Sequence, residues 1–503
     1  MDPFMALFLM IIFPLVASVV VYLAGRLSVK YGKAHSAAPA RWVALAVLVL
    51  DAVPMYIAAR AFFQSGAMQL GFNNIPLRLD GIALLVAVVV LAMGIFVVLF
   101  SNRYMAGEEG EEKFYALLVA MIGSIIGLGC AGDLFNLWVW FEIMAITSYP
   151  LVAFYREQKD ALEAGAKYLV QSAAGSVLVL IGIGLIFMAT GQLDIIYIAQ
   201  LSGHSPIMLV GGAMMLIGFG VKSAFVPLHT WLPDAHSQAP SGISAMLSGI
   251  VIEAGLIALL KTISALAGIS ASWGTLLLAF GAINMLLGNL MALRQTQIKR
   301  MLAYSSIANV GYILLGIGIT INFNNVDGAM GGFFHLTNHA LMKGLAFLAA
   351  GALLYALHIA NHDHGPLTTD DLDGASTRYP LASLAFSIAV LALGGLPPLA
   401  GFMSKWQIFV AGFATHNTWI IVLVIFAALN SVISLGYYAP LVNRMYRHEP
   451  SEIVKAGKPI SLSMNISMAV MALMIIVIGF YPTLLNWLTG PAATTLLAAF
   501  TGW

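Results

Sequence analysis

This sequence predicts an all-α polytopic membrane protein. It has about fourteen transmembrane helices, two inverted five-helix repeats and discontinuous seventh and twelfth helices. Three observations lead there: the composition, the spacing of the apolar runs and the one-sided placement of basic loop residues. Of 503 residues, 60% are hydrophobic and 9% charged. A soluble domain carries roughly 25% charged residues, so this chain cannot cover a water-facing surface. The single cysteine, Cys130, rules out an internal disulfide and a multi-cysteine metal site. There is no iron–sulfur spacing, no glycine-rich nucleotide loop after a strand and no His/Glu zinc spacing. No catalytic centre, metal or cofactor is therefore expected in this chain, and no nucleic-acid partner.

A bilayer core of roughly 30 Å needs about 20 apolar residues in a helix. Such runs fall at 4–24, 42–63, 81–101, 114–132, 133–153, 166–190, 207–228, 241–262, 274–293, 303–321, 330–358, 380–414, 418–440 and 462–487. The opening run has only Asp2 as a charge before it and no small-residue cleavage site, so it reads as a first span, not a signal peptide. The 380–414 run is too long for one straight helix. GGLPPLAGF at 394–402 interrupts it, so it reads as one discontinuous span. No strand is expected, because lipid-exposed backbone must satisfy its own hydrogen bonds. A short amphipathic piece follows the last span. The organisation is then 1–113 for the first three helices, 114–262 and 274–440 for the two repeats, and 462–503 for the last helix and tail.

Lysine and arginine in the loops set orientation. The odd-numbered loops hold Arg26, Lys30, Lys33, Arg41, Arg103, Lys113, Arg156, Lys159, Lys167, Arg294, Lys299, Arg300, Arg378, Arg444, Arg447, Lys455 and Lys458. The even-numbered loops hold only Arg60, Arg78 and Lys261. One missed helix would scramble that asymmetry. The odd loops are therefore expected on the cytoplasmic side of a prokaryotic inner membrane, with both termini on the opposite side.

The remaining basic residues, Lys222, Lys343 and Lys405, fall inside spans, as do Glu142 and Glu253. An isolated ion at bilayer depth costs at least about 2.5–3.5 kcal/mol, so five of them imply a hydrated interior in which they interact. His335, His339 and Lys343 follow an i, i+4, i+8 spacing and share one helical face. Histidine titrates near neutral pH, and burial brings lysine towards it. Water-bridged groups of this kind suit stepwise proton movement. The bland alternative is a set of buried histidines satisfied by backbone carbonyls, but three titratable residues on one face of an apolar helix favour the proton reading.

Pro227 follows Lys222 by five residues, and Pro397 and Pro398 precede Lys405. A helix broken at membrane depth is tolerated where its freed backbone lines a hydrated cavity. A break beside a lysine, occurring twice, is a stronger signal than a proline kink alone. The breaks lie five spans apart. That odd offset inverts the second unit relative to the first and implies two half-channels.

The motifs VKSAFVPLHTWLPDAHSQAPSGISAML (221–247), DLFNLWVWFEIM (133–144), AYSSIANVGY (303–312), FFHLTNHALMKGLAF (333–347) and GGLPPLAGFMSKW (394–406) occur in order. Together they resemble the antiporter-like subunits of respiratory complex I, Mrp sodium/proton antiporters and membrane-bound hydrogenases, over about residues 70–440. The resemblance implies that Glu142 pairs with Lys222, that His335, His339 and Lys343 form the eleventh-span relay, and that Lys405 is the twelfth-span lysine at the exit half-channel. It also implies partner subunits that include antiporter-like paralogues, with any flavin, iron–sulfur clusters or nickel–iron centre held by those partners.

The chain departs from the pattern at two positions. Glu253 stands where most relatives carry an eighth-span lysine, and it is open as a relay group, a partner for a neighbouring lysine or a cation site. Lys261, two turns later on that face, lies too near the helix end to substitute. Asn309 stands where some relatives have histidine; an amide orders water without carrying the proton. Asp51, midway along the second span, belongs to no motif; proton entry, subunit contact and a tilted helix end are its three readings. Asp234, His229 and His236 read as loop-holding hydrogen-bonding groups, and EEGEEK at 108–113 as a solvated loop.

The leading expectation is a proton-translocating membrane subunit of a complex I-related, redox-driven pump of the NADH- or ferredoxin-dehydrogenase or membrane-bound hydrogenase type. The alternative is a subunit of an Mrp-type Na+/H+ antiporter without redox chemistry. A more distant one is an energy-coupling partner for inorganic carbon uptake. The absence of a long lateral helix after residue 487 argues against the distal complex I subunit type. A passive scaffold leaves five buried charges unexplained. The transported ion is the proton, with sodium as the other candidate.

Overall fold

Apolar runs punctuated by Asp, Asn, Gly and Pro become helices where the sequence marks them. The structure, a computed structural model, describes residues 1–32, 36–72, 75–201, 205–361 and 365–502; Lys33 lies outside the described residues. Helices α1 (Pro3–Tyr31) and α2 (Ala38–Ser65) lead into a hairpin of β1 (Met68–Phe72) and β2 (Ile75–Leu79). Then come α3 (Gly81–Tyr104), α4 (Glu111–Cys130), α5 (Leu134–Val152), α6 (Lys159–Thr190) and the short α7 (Ile195–Leu201). Helix α8 (Pro206–Lys222) stops at its lysine, and α9 (Trp231–Gln238) resumes after the break. Next are α10 (Ser241–Met246), a π-helical segment (Leu247–Val251) and α11 (Ile252–Ala265), followed by α12 (Trp273–Ala292), α13 (Ile298–Phe323) and α14 (Val326–Leu357). The second broken pair is α15 (Pro380–Gly394) and α16 (Ala400–Phe413). Helices α17 (Thr418–Arg447), α18 (Glu452–Ala456), α19 (Leu462–Phe480) and α20 (Asn486–Thr501) complete the chain.

Among the described residues, 11 helices are long and apolar enough to cross a membrane, or up to 12 if a sharply bent pair is one span. The other expected spans fall on α5, on α8 with the break that follows it and on the broken pair α15/α16. The last expected span is shorter than read: α19 ends at Phe480, and α20 packs back against α3 and α14.

Burial sorts the helices into an inner and an outer set. The most apolar window is 100% buried in α13 and in Ser241–Ala265, and 94% buried in α14; in α17 it is 28%. Helix α17 explains the difference. Val422, Ile425, Leu429 and Val432 are exposed on one face, while Asn430, Ser434 and Tyr438 are buried on the other. Lipid takes the apolar side, so polar groups turn inward. Hydrogen-bonded caps fix several starts: Asp80 on α3, Asp133 on α5 and Asn417 on α17.

Two expectations need correction. A hairpin does form, antiparallel and paired Met68 to Leu79, in the α2–α3 connection; there the edge of β2 is partnered by protein, Leu77 bridging to Ala131 and the Gly132 amide donating to the Pro76 carbonyl at 2.9 Å. The 108–113 run is only partly solvated. Glu111 and Glu112 are buried in the first turn of α4, Glu111 2.8 Å from Arg41 and Glu112 3.7 Å from Arg26. A helix N-terminus favours carboxylates, and two arginines complete the neutralisation.

Candidate functional site

The two helix breaks carry backbone groups that no helix satisfies. At the first, Trp231 donates to the Val221 carbonyl at 2.8 Å, and the Val226 amide donates to Asn284 Oδ1 at 2.9 Å. At the second, Lys405 Nζ donates to the Leu393 carbonyl at 2.8 Å and to Ser431 Oγ at 2.9 Å, with Nζ 4.3 Å from the centre of the Tyr312 ring. The break thus supplies the lysine with an acceptor at membrane depth. Gly395 makes this possible. Its φ of +79° ends α15 in the left-handed region, and a Cβ there would lie 3.3 Å from Lys405 Cδ.

Lys222 is fully buried at the end of α8, in an aromatic box. Its ammonium donates to the Tyr168 hydroxyl at 2.5 Å and lies 4.4, 5.4 and 5.8 Å from the rings of Tyr168, Tyr149 and Phe141. Glu142 accepts a short hydrogen bond from Ser176, which in turn accepts from Trp138 at 2.8 Å. No ion pair within bonding distance joins Glu142 to Lys222 among the described residues: each charge is held by its own hydroxyl.

The centre is built on α11, α13 and α14. His339 Nδ1 and Glu253 Oε1 are 2.7 Å apart, both side chains buried. Glu253 therefore pairs with a histidine rather than with a neighbouring lysine. The π-helical segment that ends at Val251, two residues before Glu253, sets this geometry. One extra residue per turn rotates everything after it by about 100° relative to an α-helix. Gly249 lets that segment approach α14: a Cβ there would meet the Ala340 carbonyl oxygen at 3.0 Å.

His335 lies one turn from His339, with ring centres 6.4 Å apart. Its Nδ1 is 2.8 Å from Ser404 Oγ and its Nε2 3.3 Å from Asn309 Oδ1. Asn309 donates to the Ser305 carbonyl at 2.8 Å. Lys343 donates to Ser305 Oγ and to the Leu302 carbonyl, each at 2.7 Å, and Ser305 also bonds the Tyr438 hydroxyl. A chain of buried polar groups thus links Lys343, Ser305, Asn309, His335 and Ser404, and Ser404 is the neighbour of Lys405 in sequence. Asn309 serves as a connector here, as its amide chemistry allows.

The structure brings Glu253, His335, His339, Lys343 and Lys405 together and sets Glu142 and Lys222 beyond them. The Lys222 side chain packs beside Gly255, two residues after Glu253. Sequence reasoning did not single out Tyr168, Ser176, Ser305, Ser404, Ser431 or Tyr438. Ser305 and Ser404 sat in quoted motifs, but hydroxyls carry no charge cost in an apolar run and so raise no alarm. The other polar candidates separate. Asp234 anchors its segment to Arg300 at 2.6 Å and Lys167 at 3.1 Å. The His236 ring does not hydrogen-bond: it is buried, stacked on Phe347 at 4.7 Å, with both nitrogens unpartnered, while its backbone carbonyl accepts from Ser244 Oγ at 3.2 Å. Asp51 is buried with neither carboxylate oxygen partnered. Lys261 and Lys299 are buried rather than loop-exposed.

Comparison with known proteins agrees with this architecture. Residues 131–434 match the family described as NADH:quinone oxidoreductase/Mrp antiporter, TM, and residues 63–115 match complex I chain 5 N-terminus. The chain is 34% identical over 415 residues to F(420)H(2) dehydrogenase subunit N of Methanosarcina mazei, covering 81% of this chain and 82% of that one. Its fold superposes on a chain of the archaeal membrane-bound sulfane sulfur reductase with a TM-score of 0.86, at 30% identity and 98% coverage of both. A chain of the Mrp complex from Dietzia sp. DQ12-45-1b has the same fold, with a TM-score of 0.84, 22% identity and 100% coverage of both. With its broken helices, intramembrane lysines and matched core, the chain belongs to the family of antiporter-like membrane subunits shared by NADH:quinone oxidoreductase and Mrp antiporters.

Proposed function

We propose that this chain moves protons across a prokaryotic cytoplasmic membrane as one antiporter-like subunit of a complex I-related, redox-driven pump. The observation that carries the reading is the buried run of titratable groups and their polar connectors, Glu253–His339 and His335–Asn309–Ser305–Lys343, flanked by Lys222 with Glu142 and by Lys405. Each ion has a hydroxyl, carbonyl or imidazole partner, and such groups exchange protons once water bridges them. The chain brings no redox centre of its own in this reading. Flavin, clusters or nickel–iron chemistry belong to partner subunits, among them antiporter-like paralogues, and the drive arrives as a change in charge or conformation at the end of the axis.

The redox reading rests on the 34% identity to a dehydrogenase subunit and the 30% identity to a reductase chain; the Mrp chain shares the fold at 22%. Fourteen spans, two inverted repeats (114–262 and 274–440), termini outside and protons rather than sodium complete the proposal. The repeats are supported by the two 32-residue helices α6 and α14, each preceding a broken helix with a membrane lysine. Lys222→Ala and Glu142→Ala are each expected to abolish coupled proton movement in reconstituted vesicles while the complex still assembles. Full pumping by either variant would remove the pair from the mechanism. Purification from native membrane, with identification of copurifying subunits, separates the redox assembly from an antiporter.

A further inference from the structure

We propose that Glu253 communicates with the hairpin face of the protein through a gated half-channel, with Ile257 as its plug and the Lys261–Asp80 pair as its mouth. This rests on the proton-transport reading of the axis and adds an exit that the axis alone does not supply.

Glu253 uses one oxygen on His339, and its other oxygen, Oε2, is buried without a partner. Beside Glu253 is a void of about 10 Å³, lined by Val86, Val89, Ile125, Ile250, Ile257 and Leu336 among others. That volume is on the scale of one water, but apolar walls keep such a void dry. Hydrophobic constrictions of this kind conduct only when they wet.

Beyond the void, Ile257 and Lys261 follow Glu253 at i+4 and i+8 on α11, along one face and over about 12 Å. Lys261 is buried; its Nζ donates to the Ala131 carbonyl at 3.1 Å and lies 3.8 Å from Asp80 Oδ2. Both residues line a cavity of about 140 Å³ that also touches Arg78, Thr495 and the exposed Gln69 of the hairpin. A cavity with charged groups at its wall, a small apolar void and a carboxylate with one unpartnered oxygen therefore follow one another along α11. A purely structural Lys261–Asp80 pair accounts for the mouth, since Asp80 also caps α3. It leaves the unpartnered Oε2 of Glu253 unexplained.

The test uses membrane vesicles containing the assembled complex, with no electron donor and an imposed pH gradient. Ile257→Ser shrinks and wets the plug, so passive proton conductance is expected to rise several-fold. Ile257→Leu should stay tight, and adding Glu253→Gln to Ile257→Ser should return the leak to the wild-type level. A tight Ile257→Ser variant, or a leak that survives Glu253→Gln, overturns the half-channel. Should Ile257→Ser fail to assemble, Ile257→Cys in a Cys130→Ser background gives the second reading. A small methanethiosulfonate reagent added at the hairpin face should label it during turnover, and absence of labelling overturns the proposal. Lys222→Ala serves as the control for the underlying reading. If it abolishes driven transport while Ile257→Ser stays tight, the axis stands and the half-channel falls. If it leaves transport intact, the axis fails, and the leak measurement still decides the half-channel.

Discussion

Glu253 and His339 share a hydrogen bond between two buried side chains. Removing one partner leaves the other buried and unpaired, which costs more than the bond itself is worth. Glu253→Gln keeps the shape and removes the titratable oxygen. Transport in reconstituted vesicles should fall several-fold with assembly unchanged, and normal transport would make the residue structural. His339→Leu alone should lower the yield of assembled complex, and Glu253→Leu/His339→Leu should recover part of it, as measured by a double-mutant cycle on thermal stability. At Gly395 the constraint is on the backbone. Alanine at a φ of +79° costs about 1–2 kcal/mol and crowds the Lys405 stem, so Gly395→Ala should lower thermal stability and slow pumping together. The sequence made the ions legible because charge is conspicuous in apolar runs. It also placed the breaks beside Lys222 and Lys405. It could not give the hydroxyls that hold them, because a serine or tyrosine sits in a membrane helix at little cost until a partner is known.

At the scale of elements, the π-helical segment Leu247–Val251 is the part of the site that hydropathy could not show. Its residues are all apolar or small, and its register depends on α14 packing against Gly249. Deleting Ile250 should restore an α-helical register and swing Glu253 by about 100° away from His339. The expected result is loss of transport with the complex still assembled; retained transport would show that the orientation of Glu253 does not matter. Helix boundaries were readable where Asp80, Asp133, Asn417 or Gly395 ends a run. The hairpin was missed because the rule against strands applies to lipid-exposed backbone, and Met68–Leu79 lies in a connection. The Glu111 and Glu112 contacts were missed because Arg26 and Arg41 are far away in sequence and meet α4 only in the fold.

For the whole molecule, the distribution of basic residues makes a geometric prediction. Glu157, whose side chain is 88% exposed, lies in an odd loop, and the exposed Gln69 lies in the hairpin. In a Cys130→Ser background, Glu157→Cys should react with an impermeant thiol reagent only from the cytoplasmic side, and Gln69→Cys only from the other. Labelling of both from one side would break the span count. The inner helices α11 and α14 carry Glu253, His335, His339 and Lys343, α13 supplies the connectors Ser305 and Asn309, and outer helices such as α17 turn aliphatic faces away from them. This division follows from where a carboxylate or ammonium can find a partner.

The short bond between Glu253 and His339 has an electrical consequence. A proton passing from carboxyl to imidazole over 2.7 Å crosses less than a tenth of a hydrocarbon layer roughly 30 Å thick. Of the roughly 2.3 kcal/mol that 100 mV does on a full elementary charge, this hop takes about 0.2 kcal/mol. The applied field therefore barely touches the exchange at the centre and works almost entirely on the longer stretches to either side. Voltage dependence of turnover should accordingly report on those stretches, and altering the carboxylate–imidazole pair should change the rate while leaving the steepness with membrane potential nearly the same.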